Sequence, residues 1–220
     1  MKRTSLGTHI GLVILAALLA LPLPPSASSV TARQRGRTVT RTFSNTTRIE
    51  LPEAEFFPIS ADLYPSPITV GGLRNGKIRD VNVTLNSLTH DFPDDVEVLL
   101  VGPRGQTAIV MAHVGDRDDV TDVTLRLDDE AQAPIPGTAS GIALQSGVFR
   151  PTYDIERGPA IFNTPAPNRS ANEALSVFDG TNPKGEWRLF VQDRGDTDPG
   201  HFAGGWELEI TTRVKAKKKR

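Results

Sequence analysis

Four histidines, no cysteine and several groups of aspartate are the residues of this 220-residue chain that could do chemistry. The histidines are His9, His90, His113 and His201. Nucleophilic hydrolysis needs an activated serine, an imidazole in reach of it and a carboxylate that orients the imidazole. Each part exists singly here, and no spacing ties the parts together. The lack of cysteine excludes disulfides, thiolate catalysis and zinc–thiolate sites. Acidic residues gather in four stretches: Asp91, Asp94 and Asp95; Asp116, Asp118 and Asp119; Asp128, Asp129 and Glu130; Asp193, Asp196 and Asp198. Calcium takes hard oxygens of this kind, roughly six to eight at a time. Aspartates that cap turns leave the same trace. The stretch DRGDTDPG (193–200) has neither the spacing nor the terminal glutamate of an EF-hand, so a calcium site would have to be assembled from several loops. Phosphate loops, dinucleotide fingerprints and base-stacking platforms are absent. A net charge of −1 supplies no field that would draw nucleic acid, which is excluded as a partner.

Strands must position whatever these residues do. Val81, Val83 and Leu85 alternate with Asn82, Thr84 and Asn86; Val123, Leu125 and Leu127 alternate with Thr124 and Arg126. Trp187, Leu189 and Val191 share one face, as do Trp206, Leu208 and Ile210. A period of two puts one face in a core and the other in solvent. Val96–Val101 is apolar on both faces and predicts a central strand. Thr107–Ala112 is its partner across the turn GPRGQ. The one helical candidate is the short stretch Asn172–Phe178. From Asp129 to Ala171 the chain is rich in proline and glycine with little periodicity, and one short strand is expected around Gly147–Arg150. These features predict an all-β fold, a sandwich or barrel of antiparallel strands. Both tryptophans read as core, in register with inward aliphatics, rather than as sugar-stacking platforms.

The two ends of the chain differ from this middle. Lys2 and Arg3 precede an apolar run from Ile10 to Leu21, followed by PLPPSASS. That order describes a secretory signal peptide over residues 1–29, with cleavage near Ser28 or Ser29. The alternative, an uncleaved anchor, is disfavoured because the run falls short of the ~20 residues a membrane span needs. Export without cysteine fits a secreted or bacterial envelope or periplasmic protein. Residues 30–42 read as a polar spacer, and 213–220 as a basic tail in solvent.

Taken in order, the motifs resemble a known family. SPITVGGL (66–73), IRDVNVTLNSLTHDFPDDVEVLLVGPRGQTAIVM (78–111), VTLRLDDEA (123–131), SGVFRPTYD (146–154), LSVFDGTNPKGEWRLFVQDRGDTDPG (175–200) and GGWELEIT (204–211) are similar to the P domain, or P/Homo B domain. That domain accompanies the subtilisin-like catalytic domain of kexin- and furin-type proprotein convertases. The resemblance covers Phe43 to Thr212 and implies a jelly-roll β-sandwich of the galactose-binding-like type. It also implies a domain that packs against and stabilises a protease without cutting peptide bonds. This chain carries no such catalytic domain. LGTHIG around His9 mimics a subtilase histidine motif inside the expected signal peptide, and GTASG (137–141) mimics the serine motif with Ala139 in the nucleophile's place. The expected function is therefore a non-catalytic accessory module whose protein partner is a separately encoded subtilisin-like protease. A carbohydrate- or surface-binding module is the alternative, and a serine endopeptidase the third reading. Where members of the family bind calcium, the resemblance points to Asp95, Asp128, Asp129 and Asp193.

Overall fold

The computed structural model describes residues 37–53, 56–73, 76–137, 140–167, 173–195 and 198–214. The expected signal peptide, the first part of the spacer, Ala139 and the tail from residue 215 lie outside these. Thirteen strands follow in chain order: β1 (Arg37–Asn45), β2 (Ile49–Leu51), β3 (Ile59–Ser60), β4 (Ser66–Val70), β5 (Lys77–His90), β6 (Val96–Val101) and β7 (Thr107–Ala112) come first. Then come β8 (Val120–Leu127), β9 (Gly147–Phe149), β10 (Thr152–Tyr153), β11 (Gly185–Asp193), β12 (Gly200–Phe202) and β13 (Trp206–Val214). The helical candidate is reduced to a 3-10 turn at Leu175–Phe178. β1 begins at Arg37, inside the stretch read as spacer, and pairs with β13 along its whole length from Arg37↔Val214 to Asn45↔Trp206. Its polar, exposed sequence hides a strand because it has little core to face.

The strands form two sheets packed as a jelly-roll-like sandwich. In the seven-stranded sheet the long β5 is central. It pairs with β8 on one side and with β13 and β12, end to end, on the other. In the six-stranded sheet β11 pairs with β6 on one side and with β4 and β3 on the other. Pairing is not wholly antiparallel, because β9 joins β8 and β10 joins β7 in parallel. Both of these short strands come from the long proline-rich stretch, which returns along the sandwich rather than turning back in a hairpin.

The core lies between the sheets. Trp187 and Trp206 are fully buried in it, with Phe178, Phe202 and the inward aliphatics of β5, β6, β8, β11 and β13. Each indole buries about 150–250 Å², worth about 4–6 kcal/mol of transfer free energy. Each indole N–H has an acceptor: Trp187 donates to the Pro183 carbonyl at 2.9 Å and Trp206 to Ser66 Oγ at 3.0 Å. Gly205 joins β12 to β13 at φ +62°, where a Cβ would overlap the Asn45 carbonyl.

A second, smaller apolar cluster explains why β6 is apolar on both faces. Leu99, Val101, Ile109, Ala112 and Phe190 point outward from the six-stranded sheet, and Ala166, Tyr64, Tyr153, Ala160 and Phe162 cover them. Much of the proline-rich stretch is thus an ordered lid over the outer face of the sheet. That lid positions the site described next.

Candidate functional site

At one end of the sandwich β5, β7 and β11 finish and β6 begins, so their terminal residues meet. Polar side chains are buried here in two layers. The inner layer lies between the sheets. His90, the last residue of β5, reaches across to Asp193, the last residue of β11, with Nε2 3.0 Å from Asp193 Oδ2. The Phe92 N–H donates to His90 Nδ1 at 3.0 Å, so Nε2 carries the ring proton and donates it to the carboxylate. Asp193 Oδ1 accepts from the Gly195 N–H at 2.8 Å. Both residues are almost wholly buried, and the pair clamps one sheet to the other. Gly200 passes so close to the His90 ring that a Cβ there would overlap it.

The outer layer lies on the other face of the six-stranded sheet, under the lid. Strand register places Gln192 beside both Ser60 and Glu97. His113 follows β7 at φ +58°, a backbone conformation unusual for a residue with a side chain. Its Nε2 sits 2.7 Å from Glu97 Oε1 and its Nδ1 3.1 Å from the Asp154 carbonyl. A carbonyl only accepts, so Nδ1 is protonated, and one further proton is shared between Nε2 and Glu97. Gln192 Nε2 donates to Glu97 Oε2 at 2.6 Å and to the Ile161 carbonyl at 2.8 Å. Gln192 Oε1 accepts from the Asn163 N–H, and Asn163 Nδ2 donates to Ser60 Oγ. Glu97, His113 and Gln192 are each at most 2 % exposed. A network this well satisfied is rigid. Burial, and then the Glu97 charge, raise the nearby Tyr64 hydroxyl well above its ordinary range.

A cleft of about 230 Å³ opens beside this layer, lined by Phe57, Pro58, Glu97, Pro159, Ile161 and Arg194. Ile161 is exposed and lines it, Phe56 is exposed one position before its Phe57, and Ile155 is exposed one position after Asp154, whose carbonyl meets His113. Asp95 lies at the same end, in the Pro93–Asp95 3-10 turn. Burial first, then the Asp94 and Asp193 carboxylates, push its carboxyl up to about 6, against the pull of Arg194. Asp94 accepts from Arg157 at 2.8 Å.

The four aspartates expected as calcium ligands do not share one site. Asp95 and Asp193 lie at the His90 end of β5. Asp128 acts on Asp80, which stands ten positions back along that strand, about 30 Å away. Asp129 accepts from the Leu175 and Ser176 N–H groups at the start of the Leu175–Phe178 3-10 turn. Asp193 has both oxygens engaged. Among the described residues no three Asp, Glu or His side chains converge as a metal-binding group. The turn-capping reading of these acids accounts for Asp128 as well, which accepts from the Glu130 N–H. Glu97 and Gln192 were not singled out from the sequence, and His113 was visible there only as one of four histidines. Glu97 was visible as the one charged residue inside VEVLLV.

Neither buried imidazole has a nitrogen to spare for a nucleophile. Ser140, within the serine-motif mimic, holds Asp116 and the Ile142 backbone rather than a histidine.

No family model and no curated protein matches the chain. Solved structures similar to it include a serine protease of Aeromonas sobria, at 14% identity over 88% of this chain and 28% of that one, with a TM-score of 0.38. The Aeromonas sobria serine protease in complex with its chaperone is similar at 13% identity over 89% of this chain and 28% of that one, again at 0.38. The chain thus spans little more than a quarter of the length of those proteins.

Proposed function

We propose that the chain is an exported, non-catalytic accessory domain that binds and stabilises a separately encoded subtilisin-like serine protease. The observation that carries this reading is the composition of one end of the sandwich. The exposed Ile161, with Phe57, Pro58 and Pro159, lines a cleft that reaches Glu97 of the rigid buried network. Apolar groups exposed together inside a polar rim mark protein contact surfaces. The imidazoles behind that surface are sealed and fully bonded, which supports the non-catalytic half. The motif order from Ser66 to Thr211 resembles a P domain and supplies the class of partner. Burial of both tryptophans counts against a sugar-stacking surface.

The test uses the purified chain with a subtilisin-like protease from the same source that lacks its own P domain. Co-elution and a raised melting temperature of the protease are expected, and the chain alone is expected to leave casein and dibasic peptides intact. A protease whose melting temperature ignores an equimolar amount of the chain overturns the accessory role. Casein cleavage by the chain overturns the non-catalytic one.

A further inference from the structure

We propose that the cleft formed by Phe57, Pro58, Glu97, Pro159, Ile161 and Arg194 is an anchor pocket for a tyrosine side chain of a protein partner, whose hydroxyl donates to Glu97. The inference rests on the reading of this end as a partner surface and names what it grips.

Size comes first. Sites for small organic ligands run to roughly 300–1,000 Å³, and this cleft of about 230 Å³ is smaller. It holds one large side chain. Four of its six lining residues are apolar, and two of these, Pro58 and Pro159, lose little freedom when a guest enters. Phe57 and Ile161 supply the faces an aromatic ring packs against.

Charge decides what the tip of the guest must be. Glu97 lies 2 % exposed at the floor, held from behind by His113 and Gln192. The proton it shares with His113 balances the pair, so the floor offers acceptor lone pairs without an uncompensated negative charge. Arg194 lines the same cleft. A lysine tip would meet that guanidinium and find no net charge at the floor to offset the loss of its water. A neutral hydroxyl donor suffers neither cost, and a ring beneath Arg194 gains a cation–π contact. Phenylalanine would fill the same space but leave the carboxylate without its extra donor. A hydrogen bond from the hydroxyl to Glu97 is worth roughly tenfold in affinity.

The experiment titrates the purified chain with p-cresol, toluene and butylamine, followed by backbone amide shifts. p-Cresol is expected to bind with a millimolar dissociation constant and move the amides of Ile161 and Arg194. Toluene should bind roughly tenfold more weakly, and butylamine should move neither amide. Ile161→Asp, at an exposed position that leaves the core untouched, should abolish the p-cresol shifts. Glu97→Gln should bring p-cresol and toluene closer together. The proposal is overturned if toluene binds as well as p-cresol, if butylamine binds better, or if p-cresol moves neither amide. The pocket and the protease partner fail separately. A chain that binds p-cresol but no protease overturns the partner and leaves the pocket standing, and the reverse result does the opposite.

Discussion

Two imidazole–carboxylate pairs lie buried at the same end of this sandwich, and they are built for different things. His90 and Asp193 sit between the sheets, one from each, and every polar atom of the pair meets a fixed partner: the Phe92 N–H, the shared hydrogen bond and the Gly195 N–H. His113 and Glu97 sit on the outer face of one sheet, under the proline-rich lid, with a proton held between them. The first pair is a clamp whose donor pattern allows one arrangement. The second is the floor of a cleft and tolerates the proton on either side. Burial alone would have ranked them equal. The direction of each hydrogen bond separates them.

The largest effect should come from breaking the clamp. His90→Ala leaves a buried carboxylate without its partner and opens a cavity between the sheets. A loss of about 3–5 kcal/mol in denaturant-measured stability is expected. Gly200→Ala should cost a similar amount for a linked reason, since its Cβ would overlap the His90 ring and the Thr89 carbonyl. The two changes share one space. In a double-mutant cycle the Gly200→Ala penalty should fall when the ring is already gone. Simple additivity would show that the clamp is not what Gly200 accommodates.

Conservative amides sharpen the contrast. In Asp193→Asn one oxygen becomes an NH2 group that must face either the His90 Nε2–H or the Gly195 N–H. Two donors then meet, and about 1–3 kcal/mol is lost. In Glu97→Gln the new amide can donate to a neutral His113 Nε2, while its oxygen still accepts from Gln192. The expected cost stays below about 1 kcal/mol. If Glu97→Gln proves the worse of the two, the shared-proton description of the outer pair is wrong.

Much of this arrangement was legible in the sequence, and the part that was not has a physical reason. Val96–Val101 and Thr107–Ala112 form the strands that their composition predicts, end for end. The inward register of Trp187 and Trp206 follows from simple alternation. The outer polar layer was hidden because its members are far apart in the chain. Gln192 and Glu97 are separated by 95 positions and meet only through the β11–β6 register. The partners of the aspartates were hidden for a complementary reason. Sequence displays carboxylates but not the backbone N–H groups they already serve, as Asp129 serves Leu175 and Ser176.

The smallest effect is expected at Asp95, the acid beside the clamp that has least support. Its carboxyl is pushed up to about 6 by burial and by Asp94 and Asp193, above the ordinary value of 3.8. The folded state therefore holds the proton more tightly than the unfolded state does. Above pH 6 the group is charged in both states and its charge costs stability. As pH falls from about 6 towards 3.8, the folded protein takes up the proton first and that cost is relieved. Asp95→Asn imitates the relieved state. It should raise stability at pH 7–8 by on the order of 1 kcal/mol, once screening of this partly exposed group is allowed for. The advantage should shrink through the same window and vanish below about pH 4. An asparagine variant that is less stable than the parent at pH 8 would mean that the Asp95 charge is held by a favourable contact. The acidic turn would then belong with the clamp rather than beside it.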